Sequence, residues 1–402
     1  MKRWKKFTIA ALAIIAISQI PFAYRRHLLS NLRSAIASLN ASRIVTVDPQ
    51  YTDYAGVIHV HSNLGGHSTG TLPELVRAAE SQGLKFIVMT EHPSSEVDTA
   101  SQTLSGVHRG VLFISGTEAA AENGDRLLML KGMPPNASSL QSTASLLDLA
   151  VANDRPTLVA YPLEFQTWGE RRFDGVEVYN LYTDARRVKP LSMLFDGIWS
   201  YRSFADLLFA RFFQRPTEAL RLYDEAINGQ HRHIALTAGN DAHQNVGFGL
   251  SDSTGKRLLY AQLDPYERSF ATVRNHVVLE KNRTLDEGSL LRALKEGHSF
   301  VAFDIFCDAT GFMFTAESAI QRKTMGDEIA AGTGLQFVVR TPVKATIKLL
   351  RDGKVISEAN VLAEWRVPVT DAGAYRVEVY LPQLGSLIAD KPWIISNPIY
   401  VR

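Results

Sequence analysis

The sequence predicts a mixed α/β fold, either a parallel (β/α) barrel or a doubly wound sheet, followed by a smaller all-β unit. From about Tyr51 to Phe306, short apolar runs alternate with amphipathic helical patterns. After about Thr310 the helical patterns stop and strand alternation takes over. With 402 residues, 46% hydrophobic and 21% charged, the chain can bury a sizeable core, which excludes disordered, collagen-like and coiled-coil classes.

The N-terminus comes first. Lys2, Arg3, Lys5 and Lys6 precede an uncharged run from Phe7 to Tyr24, closed by Arg25 and Arg26. At 1.5 Å per residue this run reaches roughly 27 Å, close to the hydrocarbon thickness of a bilayer. We read it as an uncleaved membrane anchor with the body exported to the extracytoplasmic side, periplasmic or extracellular. A cleavable signal peptide and a secreted form are the competing reading, weakened because Pro21 sits where a small residue is preferred. Leu28, Leu32, Ile36 and Leu39 then share one helical face, a juxtamembrane helix.

Charge follows the same division. Eight of the 43 Lys and Arg residues lie within the first 47 positions, with none of the 41 acidic residues, so the body from Asp48 onward carries a balance of −6. A nucleic-acid binder needs its positive charge on the folded body, so that class is set aside. Cys307 is the single cysteine, which excludes an intrachain disulfide and a thiolate-rich zinc site. It reads as a small core residue.

In the body, Val57–Val60, Leu84–Thr90, Val111–Ser115, Thr157–Tyr161, Gly175–Tyr179 and Ile234–Thr237 read as buried strands. Leu72–Gln82 reads as a helix with a capping box, Thr71-Leu-Pro-Glu74, and a stop at Gly83. A helical insert at about 190–229 is rich in aromatics (Phe195, Trp199, Phe204, Phe209, Phe212, Phe213) and reads as core or lid packing, with a substrate-facing role as the alternative. In the C-terminal unit, Gln336–Arg340, Ala345–Leu350, Lys354–Ser357, Trp365–Val369 and Ala374–Leu381 read as strands of a small β-sandwich, with Asp352-Gly353 as a hairpin turn. Tyr375, Val377, Val379 and Leu381 alternate with Arg376, Glu378 and Tyr380, the period of a half-buried strand. The expected organisation is therefore 1–45 anchor, 50–306 α/β body and 310–402 β-sandwich.

The chemistry gathers at strand ends. Gly56-Val-Ile-His-Val-His-Ser-Asn-Leu-Gly-Gly-His-Ser-Thr-Gly70 places His59 and His61 two apart in a strand, both facing one side, with Ile58 and Val60 on the other. His67 follows in a glycine-rich loop. The next strands end in Thr90-Glu91-His92 and Gly116-Thr117-Glu118, and the last runs into Asp241-Ala-His243. Ionisable residues at the C-terminal ends of four strands occupy the face where parallel barrels hold their active sites. Imidazoles with carboxylates and no thiolate suit Zn, Mn or Fe. His231 and His233 begin their strand and so lie at the opposite end, while His27, His108, His276 and His298 show no acid or His partner at ligand spacing. No Gly-x-Ser-x-Gly elbow, phosphate-loop lysine or dinucleotide fingerprint supports other hydrolase or dehydrogenase classes.

The His-x-His-Ser start, the Glu91-His92 pair, Gly116-Thr-Glu118 and Asp241-Ala-His243 together resemble the PHP (polymerase and histidinol phosphatase) superfamily. Gly175-Val-Glu-Val-Tyr-Asn180, the aromatic insert, Met325-Gly-Asp-Glu328 and the ending Pro392-Trp-Ile-Ile-Ser-Asn-Pro-Ile-Tyr400 are similar to its CehA/McbA-like metallohydrolases. The resemblance implies a distorted TIM-like barrel and two divalent ions. His59, His61, Glu118 and Asp241 would surround one, with Glu118 able to bridge to the other, and His67, His92 and His243 would hold the second. Asp241, Glu118 and His243 would be the catalytic residues. Tyr161 stands where the family often supplies a third-metal His, and Glu91 replaces the commoner Asp. Glu91, Tyr161, Glu177 and Asn180 are pocket candidates.

The activity so implied is metal-activated attack by water on a phosphoester, or on an amide or carbamate, of a small-molecule or envelope-derived substrate. Arg171, Arg172, Arg186, Arg187 and Lys189 are candidate phosphate clamps, with solvated surface as the plainer reading. The alternative class is a membrane-tethered binding protein with a vestigial metal barrel, recognising a glycan or protein partner through the β-sandwich.

Overall fold

A computed structural model describes residues 2–94, 97–134, 137–138, 140–186, 190–208, 210, 213–230, 232–251 and 257–402. It is a mixed α/β, sheet-rich protein carrying one long N-terminal helix, α1 (Lys2–Ala41). Among the described residues α1 alone is long and apolar enough to cross a membrane, and its 18-residue apolar window has a hydropathy of 1.8 and is wholly exposed. Its second half is different: Leu29, Leu32 and Leu39 are buried against the body. The helical face read from Leu28, Leu32, Ile36 and Leu39 thus packs on the body, with Leu29 added to it and Leu28 and Ile36 half-buried.

Eight strands build the body around the site. They are β1 (Tyr51–Val60), β2 (Phe86–Met89), β3 (Val111–Ile114), β4 (Gly116–Ala120), β5 (Arg126–Leu130), β6 (Thr157–Ala160), β7 (Gly175–Asn180) and β8 (Ala235–Ala242). β1–β2 and β2–β3 pair in parallel, and a Glu91–Thr117 bridge carries the ladder to β4. β4–β5 and β5–β6 are antiparallel, β6–β7 and β7–β8 parallel, and β8 returns in parallel to β1. The ladder thus closes on itself with one antiparallel excursion, at β5. Helix α2 (Leu72–Ser81) begins as predicted, with Glu74 Oε2 accepting the Thr71 N–H at 2.9 Å, and it covers the outside of β1 through Leu75, Ala78 and Ala79.

After β7 come α3 (Leu181–Arg186), α4 (Pro190–Leu208) and α5 (Thr217–Gln230). The described aromatics of the insert pack away from the site. The Trp199 indole donates to Gln19 Oε1 at 2.8 Å, and Phe204 lies under the Arg26 and Arg33 guanidinium groups, 5.6 and 4.7 Å from its ring centre. Phe213 is buried among Tyr179, Phe303 and Phe306. Phe209 and Phe212 fall outside the described residues, as does the Phe195 side chain.

Two strands continue the sheet outward: β9 (Arg274–Glu280), antiparallel to β1, and β10 (Ser299–Ala302), antiparallel to β9. β10 in turn pairs with Pro392–Ser396, so the ladder runs without a break across the boundary expected at 306–310. The C-terminal part is a meander. Gln336–Arg351 and Lys354–Pro368 form one long hairpin, where the sequence suggested four short strands, and it turns at Asp352 and Gly353 with φ of 52° and 81°. The strand Gly373–Tyr380 departs from its expected half-burial. Arg376 and Glu378 are as buried as Tyr375 and Val377, because α5 and the chain before it cover that face. Arg376 pairs there with Asp224 at 2.8 Å and Glu378 with Arg215 at 2.6 Å. Cys307 is buried, and burial pushes its thiol up to about 12, which fits a core residue.

Candidate metal centre

The site begins with an irregularity in β1. Period-two alternation would send Ile58 and Val60 to one face, yet Ile58 packs inside the closed ladder with Phe86, Leu128 and Leu158, while Val60 packs outside against Leu75 and Ala78. The cause is a bulge between Ile58 and Val60, with His59 held at φ 62°. The extra residue turns both His59 and His61 inward, their ring centres 5.1 Å apart. Tyr161 (φ 47°) and Asp241 (φ 49°) also stand in the left-handed region beside it. Non-glycine residues held there cost on the order of 1–3 kcal/mol each, and such strain concentrates at functional sites.

Four side chains converge. His59, His61, Glu118 and Asp241 are all buried, and their ligand atoms lie within 4.8 Å of one another. His59 Nε2 is 3.1 Å from Glu118 Oε2 and 3.5 Å from Asp241 Oδ1, and His61 Nε2 is 3.4 Å from each of those oxygens. A second group of the same compactness joins His61 to His92 and His243. The His61 ring lies between them, stacked at 4.5 Å on His92 and 4.2 Å on His243. His67 stands at the exposed rim outside both groups, its ring 4.7 Å from that of His92.

The pocket candidates divide by role. Glu177 Oε2 meets His59 Nδ1 at 2.7 Å, so it orients the imidazole from behind. A methyl at Gly239 would come within 1.9 Å of that same oxygen, which is why the facing strand carries glycine there. Asn180 donates to Glu177 Oε1 at 2.8 Å, and the Tyr161 hydroxyl donates to Asp241 Oδ2 at 2.7 Å. Glu91 points elsewhere: it accepts the Ser62 N–H, the Ser62 hydroxyl (2.7 Å) and the Thr103 hydroxyl (2.8 Å), pinning the turn after β1. A cleft of about 280 Å³ opens beside Tyr161, Glu177 and Asn180 and is lined further by Thr183 and Asp184.

The electrostatics leave His61, His92, Glu118 and Asp241 as ready donors for a cation, while a cation at His59 would have to displace a proton. Burial, with the neighbouring His charges, holds His61 and His92 down to about 4, so both imidazoles are neutral at pH 7. Burial alone would raise Glu118 and Asp241, yet the adjacent histidines hold Glu118 down to about 2 and lower Asp241 as well. Burial works against a charge on His59, but Glu177 and Asp241 override it and raise that imidazole well above its ordinary value. Two buried ligand atoms, His61 Nε2 and Asp241 Oδ1, have no hydrogen-bond partner among the described residues. Orphaned buried donors and acceptors are expensive unless something meets them. The donor set, imidazoles and carboxylates without sulfur, therefore fits a divalent ion.

Sequence reasoning missed Arg126. It shares the inward face of β5 with Leu128 and Leu130 and stands one step nearer the rim. Its guanidinium lies 3.7 Å from Glu118 Oε1 with its side chain 41% exposed. The arginines expected as clamps lie elsewhere: Arg172 is held by Asp148 and Glu170, and Arg171 is exposed. Arg187 and Lys189 fall outside the described residues, as does the Arg186 side chain.

The reading of the other histidines also needs correction. His276 is fully buried between Asp53 (3.1 Å) and Asp304 (3.1 Å), and His298 meets Asp327 at 3.2 Å. These partners sit on neighbouring strands and turns, beyond the reach of local spacing. His233 stacks on Tyr400 at 3.9 Å, and His231 falls outside the described residues.

Fold and site define an α/β protein with buried His/carboxylate clusters that could hold divalent cations. No protein-family model matches the chain, and no curated protein does so. Among solved structures it is similar to a two-domain protein containing a predicted PHP-like metal-dependent phosphoesterase from Bacteroides vulgatus ATCC 8482, at 15% identity and a TM-score of 0.41, over 88% of this chain and 98% of that one. It is also similar to PsfC from Pseudomonas syringae PB-5123, at 12% identity and a TM-score of 0.37, over 63% of this chain and 92% of that one. Both likenesses are distant.

Proposed function

We propose that this protein is a divalent-metal-dependent hydrolase of the PHP type acting on phosphoesters, tethered by α1 with its body on the extracytoplasmic side. The observation that carries this reading is the convergence of His59, His61, Glu118 and Asp241 around orphaned ligand atoms in a buried site. In the proposal these four hold one ion, and His92 and His243 hold a second with His67 closing from the rim. Such ions, when bound, polarise the scissile group and bring the pKa of water to near neutrality.

The chain's own residues do the rest. Glu177 fixes the tautomer and angle of His59, and Tyr161 does the same for Asp241. Asp241, ionised and held at the centre, accepts the proton of the attacking water. Arg126 at the rim presents a planar fork to a phosphoryl group. That arginine favours phosphoesters over amides and carbamates, and Trp199 and Phe204, two aromatics that could have walled an apolar carbonyl pocket, pack on α1 instead. The basic cluster ahead of the apolar run supports the assigned orientation.

The test is hydrolysis of p-nitrophenyl phosphate, bis-p-nitrophenyl phosphate and p-nitrophenyl carbamates by the full chain in detergent with added Mn or Zn. Phosphoester turnover that drops to background in His59→Ala and Asp241→Ala is the expected result. Turnover unchanged in both variants contradicts the assignment.

A further inference from the structure

The insert helix α4 has an unusual neighbour. Trp199 bonds Gln19, which lies inside the uncharged Phe7–Tyr24 run, about 7.5 Å along α1 from its end. Two turns further on, Arg26 donates to the Trp199 carbonyl and to Ser203 Oγ, and Phe204 lies beneath both Arg26 and Arg33. Residue 199 thus faces positions 19 and 26, and residue 204 faces positions 26 and 33. The two helices run side by side in the same direction. The first half of α4 therefore extends from this contact toward the apolar window of α1 without burying it, and its sequence, Pro190-Leu-Ser-Met-Leu-Phe-Asp-Gly-Ile198, carries a single charge. Ile198 is 69% exposed where it stands.

The second half of α4 meets the chain that follows the site. α3 leaves Asn180 directly, places the Tyr182 ring 5.7 Å from that of His243, and contributes Thr183 and Asp184 to the cleft. The Tyr201 hydroxyl donates to the Gln262 carbonyl at 3.1 Å, on the hairpin Gly247–Ser251/Arg257–Gln262 that follows His243. Arg268 pairs with Asp206 at 3.2 Å. The segment that leaves the metal cluster after β8 is thus braced on the helix that packs on α1.

We infer that α4 is a membrane-interface element, its first half in lipid beside α1 and Trp199 at headgroup level, and that the site mouth opens toward the bilayer. Trp and Arg at the junction are the residues that settle at that depth. An isoleucine exposed beside an apolar helix of membrane-spanning length is free to meet acyl chains wherever lipid surrounds that helix. The substrate is then a membrane-resident amphiphile with a phosphoester headgroup; this last clause rests on the proposed hydrolase, while the placement of α4 does not.

The test uses the full chain, with Cys307→Ala, reconstituted in phosphatidylcholine/phosphatidylglycerol vesicles. An environment-sensitive fluorophore is attached at Ile198→Cys, or at Val355→Cys on the C-terminal hairpin, which is 54% exposed. The expected result is that nitroxide-bearing lipids quench the label at 198 several-fold more than the label at 355. Equal quenching, or a label at 198 shielded from water yet unquenched by lipid, overturns the placement. The second arm is Ile198→Asp, which should reduce hydrolysis of vesicle-embedded phosphatidic acid about tenfold and leave soluble p-nitrophenyl phosphate unchanged. Equal effects on both substrates overturn the amphiphile assignment. A lipid-quenched label with no hydrolysis of either substrate upholds the placement and overturns the hydrolase reading alone.

Discussion

The Tyr161 hydroxyl donates to Asp241 Oδ2 at 2.7 Å, while Asp241 Oδ1 faces His61 at 3.4 Å and His59 at 3.5 Å. The carboxylate is divided: one oxygen is aimed by a phenol, and the other is presented to the cluster. Burial and the Asp241 charge raise the Tyr161 pKa, so the phenol keeps its proton and stays a donor. Tyr161→Phe leaves Oδ2 with only the longer Asn180 contact at 3.3 Å. We expect a loss of roughly 10- to 100-fold in metal affinity or kcat, read by metal titration and steady-state kinetics, with the thermal melt unchanged.

Arg126 makes a second prediction. Its 3.7 Å approach to Glu118 Oε1 brings it to the site without burying it. A divalent ion held by Glu118 would repel the guanidinium and leave it available to an anionic ligand. Arg126→Ala should raise KM for a phosphomonoester and the inhibition constant of inorganic phosphate by roughly tenfold, the effect of losing a charge-assisted hydrogen bond. Metal content should not change. A variant that loses its metal instead would make Arg126 a support for Glu118.

The buried His276 sets a pH signature far from the cluster. Burial opposes its charge, but Asp304 and Asp53 override burial and raise it to about 9, and Arg274 approaches the same Asp304 oxygen at 3.5 Å. A folded-state pKa above the unfolded 6.5 makes the imidazolium stabilising below about 6.5. That contribution fades as pH rises through 9. It is bounded at about 3 kcal/mol by the size of the shift. Denaturant melts of the wild type should therefore lose stability between pH 6.5 and 9.5, relative to His276→Gln melts over the same range. Parallel curves for the two proteins would remove the charge from His276.

The candidate ligands were legible in the sequence because each follows an apolar run by a few residues: His92 comes after Phe86–Met89, Glu118 after Val111–Ile114 and Asp241 after the run that begins at Ile234. The bulge at His59 was not legible. Gly56-Val-Ile-His-Val-His61 has the same pattern with or without one extra residue, and only the pairing of β1 with β2 and β8 decides it. Arg126 was hidden because it follows a turn and begins a strand, where arginine ordinarily faces water. Its inward direction comes from β5 pairing on both sides, with Ala120 and with Ala160. The alternation of Tyr375 to Leu381 predicted one wet face, and no local pattern could reveal that Asp224 and Arg215 arrive to cover it. Long-range pairing, in each case, supplied what periodicity lacks.

The central claim is that His59, His61, Glu118 and Asp241 hold a divalent ion with a second beside it. It is tested most directly by elemental mass spectrometry of the full chain, purified in detergent without chelator, next to the His59→Ala/Asp241→Ala double variant. We predict about two equivalents of Zn, Mn or Fe per chain, with the ion at the four-residue group lost in the variant. Folded wild-type protein that holds no metal, even after incubation with each ion and desalting, would contradict the account.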